Sequence, residues 1–548
     1  MISFMDKQSR DALQINYILA KIQTFSEPGA RLHKNFKPFR KNQKYELLSY
    51  YEKVQTLMTA ISKYPDLITT LGSYLHYFQW ILKSIEDSSE CLLKDDYALE
   101  IHEIFEIKHF LYYYQKTVQY LKKRNLITFI PLYDFSDLFD YLDKEKQNTP
   151  SFYLSPSYSA ELEAVYSKIK QLKQLIENEY SQLKKQLIKE FNLYEFNDKL
   201  TVSRLKTDMI QKLNQSALLT VEYENFANIT YVLKKSDVIL SAEQDISDLN
   251  ESLFVEEKKV RMMISQKIGS ESKELLLAFH SIAALDLLLA KAIFANNHQC
   301  VIPHIADQPI IYAKQLKNMV LKDELDAIGL HYQPVDIHFK QVVTVLTGAN
   351  MAGKTSILKG IGQAFVLLVQ GIPLPADKAT LFIPDFICYS GPLTQEHRAD
   401  LSSFALEVVE LQNMIDKKGY GLILMDEFAR GTNPEEGTAL SKAVIHFFSE
   451  NLKSHFITAT HFNPPEVSKN TEHFRLLGIS EADFKSLRSK DKVWLKNNLN
   501  EIHSHFNYQM IPVEIGSQPP KAAFMIAELL GLDNQILDTA RCILKNEK

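Results

Sequence analysis

The chain has 548 residues, of which 45% are hydrophobic and 24% are charged, and its formal net charge at pH 7 is −5. This composition is typical of a globular protein and excludes an intrinsically disordered chain, and the length predicts roughly two to four domains. The acidic net charge argues against a nucleic-acid-binding surface spread over the whole chain, although it is compatible with a local basic patch.

The sequence carries no signal of a secreted or membrane protein. Its N-terminus lacks the apolar core of a signal peptide, and no run approaches the length of uninterrupted apolar residues that a membrane-spanning helix needs. The cysteines lie far apart and form no CxxC or metal-ligand spacing. We therefore expect a cytoplasmic protein with reduced, buried thiols and no membrane partner.

Residues 1–295 are predicted to be almost entirely helical, because apolar residues recur at three- and four-residue spacing and glycines are few. We assign residues 1–155 to a helical core and residues 156–295 to long lever or coiled-coil helices that return to that core, with a short strand-like interruption at residues 217–233. The helix after Pro156 keeps a heptad-like register, although packing in a helical bundle explains it nearly as well. Its register residues are Leu162, Val165, Ile169, Leu172, Ile176 and Leu183.

From residue 296 the sequence changes to the alternation of a parallel α/β sheet. The β-rich runs "VVTVLT", "GLILM" and "HFITAT" are separated by helical segments. We assign residues 296–465 to an α/β domain and residues 466–548 to a charged helical tail that ends in two short helices around Gly531. The predicted fold class is therefore mixed, with an all-α N-terminal half, an α/β P-loop domain and a helical tail.

A phosphate-binding loop is predicted between the first of these strands and the helix that follows it. The pattern GxxxxGK[ST] occurs as Gly348, Gly353, Lys354 and Thr355. Such a loop curls so that its backbone amides face phosphate oxygens, while the lysine neutralises the phosphates and the hydroxyl is offered to Mg²⁺. The alternative is coincidence, which would produce this pattern in such a chain on the order of once in a hundred cases.

An acidic pair follows the second predicted strand. The run from Leu422 to Met425 leads into Asp426 and Glu427, at the end of a strand where ligands bind in open α/β sheets. Behind a phosphate loop, Asp426 is suited to hold Mg²⁺ and Glu427 to polarise an attacking water. Taken alone, an acidic pair after an apolar run is more often a surface turn.

Two further segments complete the predicted site. The strand "HFITAT" ends at His461, which could sense the terminal phosphate of a nucleotide, although a lone histidine is more often a core or loop residue. In "DLSSFALEVVELQNMID", Ser402 and Ser403 stand at the N-cap of a predicted helix, whose free amides are suited to a phosphate bound by another subunit. An ordinary amphipathic helix is the alternative.

These motifs resemble the MutS family of ATPases, within the ABC superclass. "TGANMAGKTS", "LSSFALEVVE", "LMDEFARGT" and "ATHF" occur in the order and spacing of that family, over residues 340–465. More loosely, the segment that begins "INYILAKIQ" resembles the start of the family's helical core, the helix after Pro156 its lever arm, and the last two helices its dimerising tail.

The resemblance implies an ABC-type ATPase that uses ATP and Mg²⁺ and works as a homodimer, with each nucleotide held between two subunits. Asp426 and Thr355 would hold Mg²⁺, Glu427 would activate water, His461 would be a switch and Ser402 would act in trans. The residues that the resemblance assigns to the nucleotide are Gly348, Ala349, Asn350, Met351, Ala352, Gly353, Lys354, Thr355 and Ser356.

The sequence also departs from the family. Ala349 and Ala352 replace the usual proline and glycine, and "RGTNPEEG" is closer to MutS-related paralogues than to the mismatch-repair enzyme. We expect no mismatch-reading domain before the helical core, a lever too short for a full DNA clamp and no Smr nuclease tail. Recognition of mismatches as such is therefore not expected.

Two clients remain open. The first is DNA of branched or otherwise structured form, supported by the segment 31–44, in which Phe36 and Phe39 lie among cations without any acid; a solvated basic face is the alternative. The cations are Arg31, Lys34, Lys37, Arg40, Lys41 and Lys44. The second is a client protein, because short MutS-like ATPases resemble proposed reactivases of adenosylcobalamin-dependent aminomutases. A catalytically inactive homologue is disfavoured by the intact motif residues.

Overall fold

The structure is a computed structural model that describes residues 4–94, 96–126, 129, 131–349, 353–391, 403–462, 470–488, 505–513 and 522–546. Helices and three β-sheets contribute to the fold, so the mixed class predicted from the sequence is confirmed. The chain forms two compact units. We call Met1–His76 with Ala283–Lys548 the sheet unit and Tyr77–Ile282 the hairpin unit. The division into four segments made from the sequence stays a prediction.

The first half of the chain consists of helices with three short strands. Their bounds are α1 (Lys7–Ala12), α2 (Ile15–Ala20), α3 (Glu27–Lys34), α4 (Lys44–Lys63), α5 (Leu67–Leu75), α6 (Leu82–Glu90), α7 (Ile101–Lys123), α8 (Ser136–Leu142), α9 (Ala160–Glu190), β1 (Lys199–Ser203), α10 (Thr207–Gln215), β2 (Leu219–Glu224), β3 (Asn228–Leu233) and α11 (Asp237–Ser270).

The second half alternates strands with helices. Their bounds are α12 (Ser272–Asn297), β4 (His304–Ile305), β5 (Ile311–Leu316), α13 (Met319–Ala327), β6 (Val335–Phe339), β7 (Val343–Thr347), α14 (Lys354–Val369), β8 (Lys378–Leu381), β9 (Ile387–Ser390), α15 (Ser403–Ile415), β10 (Gly421–Asp426), α16 (Pro434–Asn451), β11 (Ser454–Ala459), β12 (Thr471–Ile479), α17 (Glu481–Arg488), β13 (Phe506–Pro512), α18 (Ala522–Leu529) and α19 (Asn534–Asn546).

A six-stranded sheet forms the centre of the sheet unit. Its strand order is β13-β12-β7-β11-β10-β9, and every neighbouring pair is parallel except β12 with β13. The three runs predicted as strands are β7, β10 and β11, which lie side by side. Since parallel strands end at the same edge, the residues that follow them are brought together there.

The core of the sheet unit is built on α14. Nearly every residue of this helix is buried, and its apolar side chains share one cluster with β10, β11 and the N-terminal segment. Apolar residues around the whole circumference of a helix are typical of a helix at the centre of a protein. The helix that follows the predicted phosphate loop is therefore fixed rigidly against the sheet.

The hairpin unit contains two long helices, α9 and α11, which pack along each other in opposite directions. The helix predicted after Pro156 is confirmed as a single helix of 31 residues. At its far end, the strand-like run at residues 217–233 forms β2 and β3, joined by β1 into an antiparallel sheet of order β1-β3-β2. This tip has its own small core, which includes Leu187, Phe196, Val202, Leu213 and Tyr231.

The expectation of an all-α N-terminal half is wrong in this tip. The sequence analysis did not predict β1, whose five residues contain only one buried side chain, Val202, and so carry almost no apolar alternation. Pairing with β3 stabilises β1, and that pairing is a tertiary contact that no local pattern reports. The last two predicted helices do form, as α18 and α19 on either side of Gly531, and their role in dimerisation stays a prediction.

Within the described part of the chain, α12 is the one helix long and apolar enough to cross a membrane, judged by length and composition only. Of its most apolar stretch, 67% is buried inside the protein. Such burial is typical of the core helix of a globular domain.

Asp286, on α12, anchors the N-terminal segment of the sheet unit. Its side chain is fully buried and accepts hydrogen bonds from the backbone N–H of Phe25 (2.9 Å), the backbone N–H of Ser26 (2.7 Å) and the Ser26 hydroxyl (2.5 Å). Burial raises the pKa of Asp286, and these hydrogen bonds oppose that rise. The carboxylate thereby satisfies the backbone amides that immediately precede α3.

We predict that Asp286→Ala lowers the free energy of unfolding by about 3 kcal/mol, because buried donors would lose their acceptor. The matched control is Asp307→Ala, since the Asp307 side chain is 88% exposed and pairs with Lys44 at the surface. The control should change stability by about 0–1 kcal/mol. Urea unfolding followed by circular dichroism measures both, and equal effects would contradict the anchoring role.

Candidate functional site

The candidate site lies at the carboxyl edge of the six-stranded sheet, where β7, β10 and β11 end. Asp426 of β10 lies beside Ala459 of β11, and Ala459 lies beside Leu346 of β7. The edge therefore brings together the predicted phosphate loop, the acidic pair and His461. Three predicted loop residues, Asn350, Met351 and Ala352, lie outside the described residues.

Gly353 ends the loop and precedes α14. Its φ of +89° lies in the left-handed region, and a Cβ there would lie 2.7 Å from the ring of Tyr508. Only glycine meets both requirements without strain. Gly353 therefore stands at the N-cap of α14, and the free amides at the start of such a helix are suited to bind phosphate.

Lys354 is the first residue of α14 and is only 5% exposed. Its Nζ donates hydrogen bonds to the carbonyl oxygens of Gly348 (2.9 Å) and Ala349 (3.1 Å). No carboxylate lies within ion-pair distance of it among the described residues, and burial lowers the pKa of its ammonium group. A buried ammonium held only by carbonyls at a helix N-terminus is well suited to bind phosphate.

Asp426 uses its two carboxylate oxygens differently. Its Oδ2 accepts a hydrogen bond from the Thr355 hydroxyl at 2.6 Å and a longer one from the Tyr389 hydroxyl at 3.4 Å. Its Oδ1 is buried and has no partner among the described residues. Burial raises the pKa of Asp426, and the Thr355 hydrogen bond opposes that rise. An unpartnered buried carboxylate oxygen beside a hydroxyl fits a hard divalent cation such as Mg²⁺.

Glu427 begins a sharp turn after β10. Its φ is +59° and that of Ala429 is +63°, which is uncommon for residues with side chains and marks local strain of about 1–3 kcal/mol at each. The backbone N–H of Glu427 donates to the carbonyl oxygen of Ala459 at 2.9 Å, so the turn is tied to β11. This conformation points the carboxylate of Glu427 into the site rather than along the strand.

The carboxylate of Glu427 contacts two basic side chains, one at each of its oxygens. His461 Nε2 lies 2.5 Å from Oε1, and the Arg430 guanidinium donates to Oε2 at 2.9 Å. The hydrogen bond with His461 lowers the pKa of Glu427, despite partial burial. The structure thus brings together the two residues predicted separately from "MDEF" and "ATHF". Arg430 was not predicted, because only the acids Asp426 and Glu427 were assigned a role in the segment "LMDEFARGT".

Ser402, the residue predicted to act on a second subunit, lies outside the described residues. The helix it was predicted to cap is present as α15, and Glu407 of this helix accepts the backbone N–H of Ala429 at 2.8 Å. Burial raises the pKa of Glu407. The helix that follows Ser402 is therefore hydrogen-bonded to the strained turn that carries Glu427.

A cavity of about 750 Å³ opens beside the loop. The residues that line it include Gly353, Lys354, Thr355, Ser356 and Glu427. Further polar side chains, among them Asn318, Glu324 and His331, and aromatic or apolar ones, among them Tyr332, Phe506, Tyr508, Leu325 and Leu330, complete the lining. A volume of this size that combines polar groups with aromatic side chains suits a nucleotide.

Comparison with known proteins gives a match to the family model described as MutS domain V over residues 344–545. The DNA mismatch repair protein MutS of Leuconostoc citreum is 25% identical over 358 residues, which cover 65% of this chain and 38% of that protein. The endonuclease MutS2 of Caldicellulosiruptor saccharolyticus is 29% identical over 297 residues, covering 53% of this chain and 34% of that protein. The chain thus spans little more than a third of the length of these relatives.

We predict that Gly353→Ala lowers the free energy of unfolding by about 2–3 kcal/mol, since the new methyl group adds a clash with Tyr508 to the cost of a positive φ. The matched control is Gly329→Ala, because Gly329 has a φ of +73° with no atom within 4 Å of its would-be Cβ. It should cost about 1 kcal/mol. Thermal unfolding without nucleotide compares the two glycine variants. In a Tyr508→Ala background, Gly353→Ala should cost no more than Gly329→Ala.

Proposed function

We propose that this chain, which belongs to the MutS family through the match of residues 344–545 to MutS domain V, is an ATPase that works as a homodimer. It would convert ATP hydrolysis into a conformational switch that acts on DNA. The DNA would be structured, for example branched, rather than mismatched. The reaction takes place at the carboxyl edge of the six-stranded sheet, and ATP and Mg²⁺ are its cofactor and metal.

One observation carries this proposal. Lys354, Thr355 and Asp426 form a continuous polar site in which, among the residues that the structure describes, a buried ammonium has no anion beside it and a buried carboxylate oxygen has no partner. Each deficiency is costly in a protein interior unless a ligand compensates it. A triphosphate with its Mg²⁺ supplies an anion to the first group and a cation to the second.

The chain's own residues perform distinct tasks in this reaction. Lys354 and the amides at the start of α14 bind the phosphates, and Thr355 with Asp426 would hold Mg²⁺, which neutralises charge on the phosphate oxygens. Glu427 is kept ionised by His461 and Arg430, so it can accept a hydrogen bond from a water molecule and orient it in line with the terminal phosphate. His461 then reports the state of that water through its contact with Glu427.

The homodimer is proposed for the same site. Ser402 of one subunit would contact the terminal phosphate bound by the other, and α15 would transmit that contact to the turn at Ala429 through Glu407. The aromatic side chains Tyr332 and Tyr508 in the cavity lining would hold the base. ATP binding would then couple the assembly of the two subunits to the geometry of the turn that carries Glu427.

DNA binding is proposed for the basic segment 31–44, through phosphate contacts alone. Phe36 and Phe39 are packed against each other, with ring centroids 5.7 Å apart, and both contact Tyr50 in the sheet unit. They are therefore not free to stack on bases. Lys34, Lys37 and Lys41 are exposed cations on the same segment and are available to phosphate.

We predict that Glu427→Gln retains ATP but lowers its turnover by about 10²–10⁴-fold, because the substitution removes the group that orients water. Lys354→Ala is the contrasting variant and should abolish ATP binding itself. Equilibrium binding of a fluorescent ATP analogue, together with phosphate release, separates the two effects. Rapid turnover by Glu427→Gln would contradict the role of Glu427.

We also predict that replacing Lys34, Lys37 and Lys41 by alanine weakens binding of a four-way DNA junction. The slope of log affinity against log salt should fall by about one for each lysine. Lys453→Ala is the control, since Lys453 is an exposed lysine outside the segment 31–44 and directly precedes β11. An unchanged slope in the triple variant would exclude the segment as a phosphate contact.

A client protein is a second candidate, and the tip of the hairpin unit favours it. Phe226 and Leu205 are 105% and 92% exposed. The Arg204 side chain contacts the turn between β2 and β3, where it donates to the carbonyl oxygen of Asn225 at 2.7 Å and pairs with Glu224 at 2.6 Å. Fully exposed apolar side chains on a hydrogen-bonded turn are typical of protein contact sites.

The two candidates can be distinguished by recovering what binds Glu427→Gln in the presence of ATP. Recovery of one specific enzyme, lost on Phe226→Ser with Leu205→Ser, would support a client protein. Recovery of DNA that is released by salt and unaffected by those two substitutions would support the DNA role. The two substitutions lie on the surface and should leave ATP turnover unchanged.

A further inference from the structure

Tyr389 contacts the candidate metal site but belongs to none of the motifs identified in the sequence. It lies on β9, the strand next to β10, and is 4% exposed. Its hydroxyl donates a hydrogen bond to Asp426 Oδ2 at 3.4 Å, the same oxygen that accepts the Thr355 hydroxyl at 2.6 Å. Both described donors therefore meet one carboxylate oxygen and leave Oδ1 free.

We propose that Tyr389 is a positioning residue that fixes the orientation of the Asp426 carboxylate so that Oδ1 is kept free for the divalent cation. The inference rests on the proposed function, because it concerns the metal of the nucleotide site. A carboxylate with one donor can rotate about its terminal bond and exchange its oxygens. A second donor, approaching from a neighbouring strand, favours one of the two orientations.

The position of Tyr389 is itself fixed by the N-terminal helix. Ser9 Oγ of α1 accepts the backbone N–H of Tyr389 at 2.9 Å and donates to its carbonyl oxygen at 3.3 Å. On the other side, the ring packs against Gly391, where a Cβ would lie 2.8 Å from it. The tyrosine thus has little freedom to withdraw its hydroxyl from Asp426.

The hydroxyl remains a donor at neutral pH. A phenol hydroxyl carries its proton at neutral pH, and an ionised carboxylate oxygen only accepts, so the Tyr389 hydroxyl is the donor in this contact. Tyr389 is not among the described residues that line the cavity beside the loop, so its effect on the metal would pass through Asp426.

A second contact connects the same region to α15. Ser390, the next residue on β9, donates its hydroxyl to Glu410 Oε2 at 2.8 Å, and Gln8 of α1 donates to Glu410 Oε1 at 2.5 Å. α1 therefore holds both β9 and the helix that follows Ser402. Ser9 hydrogen-bonds the backbone of Tyr389. Loss of this contact should weaken metal binding, as loss of the Tyr389 hydroxyl should, but by a smaller factor.

The experiment measures binding of Mn²⁺, as a stand-in for Mg²⁺, to the full chain with a non-hydrolysable ATP analogue by electron paramagnetic resonance. Tyr389→Phe should weaken Mn²⁺ binding by about ten-fold, which is the size expected when a residue that orients a metal ligand is lost. Affinity for the analogue in the presence of EDTA should be unchanged, because Lys354 and the loop still bind the phosphates.

The matched control is Tyr420→Phe. Tyr420 precedes β10 at its opposite end, and its buried hydroxyl has no hydrogen-bond partner among the described residues. The control removes the same atom from the same sheet without changing the contacts of Asp426, so Mn²⁺ affinity should equal that of the wild type. Equal weakening by both substitutions would overturn the inference, because it would reflect general loosening of the sheet.

Three outcomes separate the inference from the function on which it rests. Wild-type affinity for Mn²⁺ in Tyr389→Phe overturns the inference and leaves the proposed function intact. Failure of the wild-type protein to bind Mn²⁺ with the analogue overturns both. If Tyr389→Phe does not fold, Ser9→Ala replaces it, with weakening of about two- to five-fold expected from partial loss of the same constraint; wild-type affinity in that variant also overturns the inference.

Discussion

The hydrogen bond between the Thr355 hydroxyl and Asp426 Oδ2 is the contact on which the site depends. At 2.6 Å it joins the first turn of α14 to the end of β10, and so fixes the phosphate loop relative to the sheet edge. Both residues are held by larger structures, since α14 is packed into the core of the sheet unit and β10 lies between two parallel strands. The packing of α14 and β10 in the core therefore sets where the predicted phosphate loop joins the sheet edge.

The charges at this edge are arranged so that the protein alone does not neutralise them. Among the described residues, Lys354 is bound to carbonyls only and Asp426 keeps one oxygen without a partner, whereas the Glu427 carboxylate is paired with Arg430 and contacts His461. This difference matches the tasks proposed for these residues. Groups that bind a highly charged ligand must have charge to offer, while a group that orients water must remain ionised and correctly placed when the ligand is bound.

Strain is concentrated at the turn after β10. Two left-handed residues with side chains, Glu427 and Ala429, are stable in this turn because β11 and α15 each supply a hydrogen-bond acceptor to it. A turn held by two separate elements changes conformation when either of them moves. The proposed coupling between subunits uses this property, since α15 follows the residue that would contact the partner's nucleotide.

The sequence by itself determined the alternation of strands and helices in the second half and the long helix α9, and it predicted the candidate phosphate loop and acidic pair. These features are local, since they depend on apolar periodicity, glycine placement and the order of residues along one segment. Only the tertiary structure decided which residues meet. Tyr389 reaches Asp426 and Arg430 reaches Glu427 because of strand pairing and a strained turn, while β1 exists because β3 pairs with it. The packing of Phe36 and Phe39 into the sheet unit likewise could not be read from a segment that looked like a nucleic-acid-binding surface, because burial is a property of the folded chain.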